Sequence, residues 1–138
     1  MNKYEYNIHH AGGGYDGKTY TNSYEAITSS NYKTIEIDVV NLKDSCVIAH
    51  DYCEKNFYNY DGKFKDLLYT DYKKLKVYEK YTPMDFPMLK KIMNNKPDVS
   101  IVLDVKGNNE EYKYSLEFIK DVMAVSYTHL TLPTTPYV

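Results

Sequence analysis

Two segments in which apolar and polar residues alternate constrain the fold of this chain more than any other feature. They are TIEIDVV at residues 34–40 and VSIVLDVK at residues 99–106. Successive side chains of a β-strand point to opposite faces, so each segment predicts a strand with one continuous apolar face. The opposite faces then carry acids, which are Glu36 and Asp38 on the first strand and Asp104 on the second.

Strands and helices alternate along the rest of the chain. Further strands are predicted over residues 6–10 and 46–50, and helices over about residues 23–30, 86–93 and 110–123. Asn22 is the predicted N-cap of the first helix because Glu25 follows three residues later, as in a capping box. Strands that alternate with helices predict an α/β fold with a mostly parallel sheet.

Two connections need separate treatment. Residues 43–45 form a short link, so the strand at 46–50 either forms a hairpin with the strand before it or belongs to a parallel sheet. Residues 51–81 are rich in Tyr and Lys, with a turn at Asp61-Gly62-Lys63 and a modest helical pattern at residues 71–77. We expect residues 51–81 to form an excursion from the sheet.

Length and charge exclude several classes of function. A chain of 138 residues predicts a single domain, and 17 basic against 19 acidic residues give a net charge of -2. This balance favours neither nucleic acid nor an anionic membrane surface as a partner. The absence of a long apolar run or signal-like start predicts a soluble cytoplasmic chain. Cys46 and Cys53 are expected to be free thiols.

The composition changes abruptly near the C-terminus. All charged residues precede Ala124, and residues 125–138, VSYTHLTLPTTPYV, contain two of the five prolines. One interpretation is a disordered or loosely docked tail. The favoured interpretation is a non-native tail, because VSYTHLTLPT resembles the translation of a transposase-type sequencing adapter joined to a truncated reading frame. The expected division is a partial domain at residues 1–124 and a non-native or disordered tail at residues 125–138.

Polar groups collect at the ends of the predicted strands. His10 and His50 end the first and third strands, and the acids lie on the second and fourth. Active sites form at this edge in open α/β sheets and in (β/α)8 barrels. Three carboxylates converging there would repel one another, and Mg2+ or Ca2+ would compensate their charge. The predicted metal ligands are Glu36, Asp38 and Asp104.

The histidines and a lysine supply the remaining chemistry. Imidazole titrates near neutrality, so His10 and His50 suit a general base and a general acid. Lys106 adds a positive charge that suits an anionic substrate such as a phosphoester. Each signal alone has a simpler explanation, such as a solvated sheet face, a capped strand end at His50-Asp51, or an ion pair between Asp104 and Lys106. The shared face and shared strand-end position favour a site.

The order of these residues resembles that in the glycerophosphodiester phosphodiesterase family. Within residues 8–123, the matching motifs are His10, Asn22, Glu36-Ile37-Asp38, Leu42-Lys43-Asp44, His50-Asp51, Phe86-Pro87-Met88-Leu89 and Asp104-Val105-Lys106. The resemblance implies a metal-dependent TIM-barrel enzyme that releases an alcohol and glycerol 3-phosphate from glycerophosphodiesters. The implied roles are cation ligands for Glu36, Asp38 and Asp104, an acid/base pair for His10 and His50, and a phosphate contact for Lys106.

The sequence departs from the family pattern at three positions. His10 is followed by Ala11 where the family has arginine, so a phosphate contact is missing. Thr21 replaces the usual Glu before the Asn, and Asp104 stands where Glu is commoner. These changes resemble a divergent branch with HAGG and TNS-x-EA signatures, and they leave the head group of the substrate open.

Length limits what this chain can do by itself. A (β/α)8 barrel needs about 250 residues, whereas about four strands are predicted here. The expected fold class is α/β, the N-terminal half of a TIM barrel, truncated. A half barrel exposes strand edges and apolar surface, so we expect the chain to be poorly stable and inactive, although its parent would be an enzyme.

Three alternatives stay open. A phosphatidylinositol-type phospholipase C shares the barrel with paired histidines and also cleaves a phosphodiester through a cyclic intermediate. A non-catalytic phosphoester- or glycan-binding module would explain the absent arginine. The fragment could also have no function. The sequence decides neither between Mg2+ and Ca2+ nor on the oligomeric state.

Overall fold

A central sheet organises the part of the chain that is described. The computed structural model describes residues 8–10, 13, 16–18, 21–105, 109–122 and 130–131. Among them, five strands form the sheet, namely β1 (Ile8–His9), β2 (Thr34–Asn41), β3 (Cys46–Ile48), β4 (Ser100–Val105) and β5 (Leu130–Thr131). Strands β1, β2, β4 and β5 are parallel neighbours in that order, whereas β3 pairs antiparallel with β2. The predicted α/β class is confirmed, and the strand that begins at Cys46 forms a hairpin with β2.

Helices cover the connections between the strands. They are α1 (Tyr24–Ser29), α2 (Glu54–Tyr58), α3 (Tyr69–Tyr72), α4 (Phe86–Asn95) and α5 (Asn109–Val122), with a 3-10 helix at Phe64–Asp66. The three predicted helices are confirmed to within two residues at each end. Residues 71–77, where a modest helical pattern was predicted, are helical only at their start, since α3 ends at Tyr72. Val77 instead pairs with Tyr81 in an antiparallel bridge. No helix in the described ranges is long and apolar enough to cross a membrane.

Both ends of the sheet lie at the limits of the described residues. Of the strand predicted at residues 6–10, Ile8–His9 are observed as β1, while residues 6 and 7 lie outside the described residues. Strand β5 falls within the C-terminal segment 125–138, where Leu130 pairs with Ile101 and Thr131 pairs with Val102.

A first buried cluster, called the aliphatic core below, forms where the sheet packs against α4 and α5. Its principal members are Ile35, Ile37 and Val39 of β2, Ile101, Leu103 and Val105 of β4, Leu89, Ile92 and Met93 of α4, and Ile119 of α5. The alternating residues of both predicted segments thus point to one side, which confirms the predicted apolar face. Each fully buried Leu or Ile side chain contributes about 1.5–3 kcal/mol, so this cluster is the main source of stability for the sheet.

A second cluster, called the aromatic core below, lies under the excursion at residues 51–81. Its members are Val40, Leu42, Val47 and Ala49 of the β2–β3 region, with Tyr58, Phe64, Leu67, Tyr72, Val77 and Tyr81 of the excursion. The rings of Tyr58 and Phe64 meet edge to face with their centroids 5.3 Å apart, a favoured aromatic arrangement. The excursion therefore has a core of its own, packed on the β2–β3 hairpin.

The cap of α1 differs from the prediction. Ser23 is the N-cap, not Asn22, because the backbone of Ser23 is extended and its Oγ accepts a hydrogen bond from the Ala26 N–H at 3.2 Å. The carboxylate of Glu25 instead accepts hydrogen bonds from the N–H and the hydroxyl of Thr82, each at 2.8 Å. Glu25 therefore joins α1 to the chain before α4, and Asn22 is available for another contact.

Candidate active site

Three carboxylates meet on neighbouring parallel strands. In the β2–β4 register Asp38 lies opposite Asp104, and Glu36 is two residues before Asp38 on the same face. One ligand oxygen from each of Glu36, Asp38 and Asp104 lies within 4.8 Å of the others. Asp38 is buried, and the other two residues are half-buried. Strand alternation and parallel pairing are thus sufficient to bring the three acids together.

This spacing suits a hard divalent cation. Mg2+ and Ca2+ bind oxygens at roughly 2.0–2.6 Å, so two ligands of one ion lie at most about 4–5 Å apart. The observed limit of 4.8 Å matches Ca2+ directly, whereas Mg2+ would draw the oxygens to within about 4.2 Å of one another. Carboxylates this close repel one another by several kcal/mol when water is partly excluded, and a bound cation removes that cost. The donor set therefore fits Mg2+ or Ca2+, which prefer oxygen, better than zinc.

His10 lies beside this triad of acids. It directly follows β1, which pairs with β2, and its Nδ1 is 3.4 Å from Oε2 of Glu36. The His10 side chain is 64% exposed and the Glu36 side chain is 21% exposed. The imidazole thus contacts the triad on one side and is open to an incoming molecule on the other.

His50 follows β3, on the hairpin that continues from β2. Its Nδ1 lies 2.8 Å from the backbone oxygen of Asp51 and 3.2 Å from Oδ1 of the same residue. Because both are acceptors, Nδ1 carries the hydrogen, and Nε2 of the neutral ring is the nitrogen that can accept a proton. The backbone N–H of Ala49 donates to the backbone carbonyl oxygen of Asp38 at 3.0 Å, which anchors this part of the chain beside the triad.

Cys53 adds a thiol next to His50. Its Sγ lies 3.6 Å from Nδ1 of His50. Burial raises the pKa of the Cys53 thiol to about 11, and the negative charges of Asp51, Glu54 and Asp38 act in the same direction. The thiol therefore stays protonated near neutrality, which does not suit a nucleophile. Both cysteines are free, as predicted from the sequence.

Two further residues, Asn22 and Asp51, contact the site, although the sequence predicted no catalytic or metal-binding role for either. Asn22 is fully buried and hydrogen-bonds to Asp38, with 3.1 Å between Nδ2 and Oδ2. Asp51 orients His50 through both its backbone and its carboxylate. The motif order contained both residues, but only the fold shows what they contact. Lys106, the predicted phosphate contact, and Ala11, which replaces the family arginine, lie outside the described residues.

No protein-family model matches the sequence, and no curated protein matches it either. Solved structures do match the fold. A glycerophosphodiester phosphodiesterase from Agrobacterium tumefaciens has a TM-score of 0.69 and 14% identity, with 91% of this chain and 55% of that chain covered. A phosphodiesterase from Oleispira antarctica, solved in complex with the product sn-glycerol-3-phosphate, has a TM-score of 0.71 and 19% identity, with 91% and 54% covered.

A third similar structure, a glycerophosphodiester phosphodiesterase from Parabacteroides distasonis, has a TM-score of 0.62 and 17% identity, with 91% of this chain and 54% of that chain covered. At these identities the likeness establishes the fold. The resemblance predicted from the sequence motifs is thus confirmed at the level of structure. The chain spans about half the length of the solved structures that it matches.

Proposed function

We propose that this chain is the first half of a TIM barrel from a metal-dependent phosphodiesterase. The longer protein, here called the parent, hydrolyses glycerophosphodiesters to an alcohol and glycerol 3-phosphate. The observation that carries this proposal is the triad of Glu36, Asp38 and Asp104 within 4.8 Å at one sheet edge, with His10 beside it. The product bound in the Oleispira antarctica phosphodiesterase supports glycerol 3-phosphate as the product class.

The proposed roles follow from the chemistry of each side chain. The triad holds Mg2+ or Ca2+, and the bound cation supplies electrostatic stabilisation of the charge that develops on the phosphoryl oxygens. One imidazole of the His10 and His50 pair takes the proton from the glycerol hydroxyl next to the phosphate, and the oxygen of that hydroxyl attacks phosphorus to form a cyclic phosphate as the bond to the alcohol breaks. The other imidazole gives a proton to the departing alkoxide, and the cyclic phosphate is then hydrolysed with the two roles reversed. Lys106 contacts the anionic phosphate.

Asp51 supports the assignment of His50 to this pair. The contacts of Asp51 with Nδ1 fix the ring and its tautomer, so Nε2 is the atom at which a proton is taken or given. His10 has its Nδ1 beside Glu36 instead. The two imidazoles therefore contact different acids, so each ring is positioned by its own carboxylate.

The domain boundary at Ala124 belongs to the same proposal. Residues 1–124 are the natural part of the chain, and residues 125–138 are a foreign tail or a disordered segment. A foreign tail can still supply Leu130 and Thr131 to the sheet, because an edge strand such as β4 offers unpaired N–H and C=O groups to any extended segment. Sequencing the source DNA across codon 124 tests this boundary, which an uninterrupted native frame through residue 138 would contradict.

The function is tested by comparing this chain with the parent restored from the same locus. Alcohol release from glycerophosphocholine, glycerophosphoethanolamine and glycerophosphoglycerol is measured with Mg2+, with Ca2+ and with EDTA. The parent should be active and EDTA-sensitive, and the 138-residue chain should be inactive because half of the barrel wall is missing. Activity of this chain, or EDTA-resistant activity of the parent, contradicts the proposal.

A matched pair of variants sharpens the assay. Loss of a residue that merely orients a metal ligand costs about 10–100-fold, so Asp38→Asn in the parent should cost at least about 100-fold. Asp66→Asn, the same chemical change at an exposed residue of the 3-10 helix, should leave activity unchanged. Cleavage of inositol lipids alone would assign the parent to the phospholipase C class, and metal binding without turnover of any diester would assign it to a binding module.

A further inference from the structure

Asn22 is a buried asparagine that contacts Asp38, the buried member of the acid triad. Its Nδ2 donates to Oδ2 of Asp38 at 3.1 Å, and its Oδ1 accepts a hydrogen bond from the Asp38 backbone N–H at 3.1 Å. Both residues are almost completely shielded from solvent. One amide therefore ties the carboxylate of Asp38 to the backbone of the same residue, which restricts rotation of the Asp38 side chain.

This arrangement is distinct from helix capping. Ser23 already caps α1. The Thr21 hydroxyl lies 3.0 Å from the Ser23 hydroxyl, so the turn that precedes α1 is held by the residues on either side of Asn22. Asn22 has a φ of 51°, in the left-handed region that is strained for most residues other than glycine. The two contacts with Asp38 offset this strain, so the turn before α1 directs the amide to the triad.

An amide suits this position chemically. It offers a donor to the carboxylate and an acceptor to the N–H from two separate atoms of one planar, uncharged group. A lysine at this position would also donate, but its positive charge would compete with a cation for the same carboxylates. The neutral amide eases repulsion within the triad and leaves the negative charge that attracts a metal ion.

We infer that Asn22 is a positioning residue of the metal centre, which holds the Asp38 carboxylate in the orientation where it meets Glu36 and Asp104. This inference rests on the proposed function, because it assigns Asp38 to a cation. Mg2+ demands near-octahedral geometry, whereas Ca2+ accepts flexible and irregular coordination. Losing the amide should therefore weaken Mg2+ binding more than Ca2+ binding, a difference that a general loss of stability would not produce.

The test is calorimetric titration of the 138-residue chain with Mg2+ alone and with Ca2+ alone. Asn22→Gly deletes the amide and adopts a φ of 51° readily, so the turn survives the substitution. Asn59→Gly is the matched control, since Asn59 also has a positive φ of 53° but lies at the exposed end of α2. Circular dichroism in EDTA establishes that each variant is folded. If Asn22→Gly does not fold, Asn22→Ser replaces it, with a side chain too short to make both contacts.

Asn22→Gly should weaken Mg2+ binding by about 10–100-fold and raise the ratio of the Mg2+ to the Ca2+ dissociation constant by at least about fivefold. Asn59→Gly should change neither constant by more than about twofold. An unchanged ratio in Asn22→Gly, while Asp38→Asn weakens both ions, overturns this inference alone. If the wild-type chain binds neither ion, or Asp38→Asn binds as tightly as wild type, the metal centre of the proposed function fails and the inference fails with it.

Discussion

The aliphatic core and the aromatic core are built by different means. In the aliphatic core, alternate residues of β2 and β4, such as Ile37 and Leu103, pack on the same side because the strands pair in register. In the aromatic core, Tyr58, Phe64 and Tyr72 come from three short helical segments joined by turns. The sheet is thus specified by a local pattern, whereas the excursion is specified by tertiary contacts between large rings.

Backbone strain follows the same division. Tyr52, Asn59, Tyr78 and Glu79, all in the excursion, have positive φ angles, whereas no residue of β2 or β4 does. Positive φ in residues other than glycine costs free energy and is usually held by surrounding contacts. The three carboxylates therefore lie on the more regular region, while His50 lies where the sheet meets the excursion. We expect the excursion to open at a lower free energy than the sheet.

The largest expected effect is in the aliphatic core. Leu103 is fully buried in the middle of β4, so Leu103→Ala should lower the free energy of unfolding by about 2–5 kcal/mol through lost burial and a cavity. Urea denaturation followed by circular dichroism measures the loss. Leu68→Ala, the same change at a leucine 43% exposed in the excursion, should stay within about 0.5 kcal/mol. Similar losses in both variants would contradict the assignment of the core.

The next effect concerns a hydroxyl that joins the two cores. Tyr72 belongs to the aromatic core, and its Oη lies 2.8 Å from the Met84 oxygen and 3.1 Å from the Ile48 oxygen, both of aliphatic-core residues. Tyr72→Phe should cost about 1–3 kcal/mol, because it leaves buried carbonyl groups without this donor. Hydrogen exchange should accelerate more in residues 51–81 than in β2 and β4.

Tyr52→Phe provides the control for that substitution, since Tyr52 is 84% exposed and its hydroxyl is accessible to water. It should leave both stability and hydrogen exchange unchanged within about 0.5 kcal/mol. Uniform acceleration of exchange in Tyr72→Phe, with no excess in the excursion, would show that the two regions open together.

A smaller, pH-dependent effect comes from Asp85, the N-cap of α4. Its carboxylate accepts hydrogen bonds from the Tyr69 hydroxyl, from Lys73 Nζ at 2.8 Å and from the Met88 N–H at 2.9 Å. Burial by itself raises the pKa of Asp85, but the hydrogen bonds from Lys73, Tyr69 and Met88 outweigh it and leave the pKa below its ordinary value. The Asp85 carboxylate thus links Tyr69 and Lys73 of the excursion to α4, which packs in the aliphatic core.

Asp85→Asn retains a good N-cap, so its cost of about 1–2 kcal/mol at pH 7 should come mainly from the Lys73 and Tyr69 contacts. The pKa of Asp85 is lower in the folded state than in the unfolded state. The stability that its carboxylate contributes is therefore complete above the unfolded-state pKa of about 4, and it is lost as pH falls through the folded-state pKa. The difference between wild type and Asp85→Asn in urea titrations should therefore shrink from pH 6 to pH 2. Asp71→Asn, the same change at an exposed residue, is the control and should change stability by less than about 0.5 kcal/mol at pH 7.

The same division explains what sequence could predict of the fold. The alternation at residues 34–40 and 99–106 determines strands, their buried face and the meeting of their acids, because strand geometry acts over two residues. The helical pattern at residues 71–77 was misleading, because Val77 pairs with Tyr81 in a turn that carries positive φ at Tyr78 and Glu79. Contacts between rings that are distant in the chain determine the structure of that region, and such contacts produce no periodic pattern in the sequence.

Within the candidate site, sequence pattern identified the charged residues and missed those that orient them. Asn22 was predicted to cap α1 because Asn is a good N-cap, and Glu25 lies at capping-box spacing. Ser23 caps equally well, and only the fold places Asn22 beside Asp38, sixteen residues away. For Asp51, adjacency to His50 in the chain was visible, but the contact with Nδ1 depends on how the chain turns after β3.

The smallest perturbation uses the two thiols, one in each region, as reporters in the unsubstituted chain. Cys46 is buried in the aliphatic core, and Cys53 is the N-cap of α2 in the excursion. With its pKa raised to about 11 by burial and by Asp51, Glu54 and Asp38, Cys53 has about 100-fold less thiolate at pH 8 than a thiol with the ordinary value of 9.0. Iodoacetamide should therefore label native Cys53 slowly, and Cys46 more slowly still because it is buried.

Urea below the unfolding midpoint should separate the two thiols. If the excursion opens first, Cys53 is exposed, loses the burial that raises its pKa and is alkylated at urea concentrations where Cys46 is still protected. Peptide mass spectrometry reads each site separately. Tyr72→Phe should shift only the Cys53 transition to lower urea, whereas Leu103→Ala should shift both, because the excursion packs on a hairpin that the sheet holds in place. Coincident labelling of both thiols at the global midpoint would mean that the two cores form one cooperative unit, in which case the strained turns near His50 are as rigid as the strands that carry the triad.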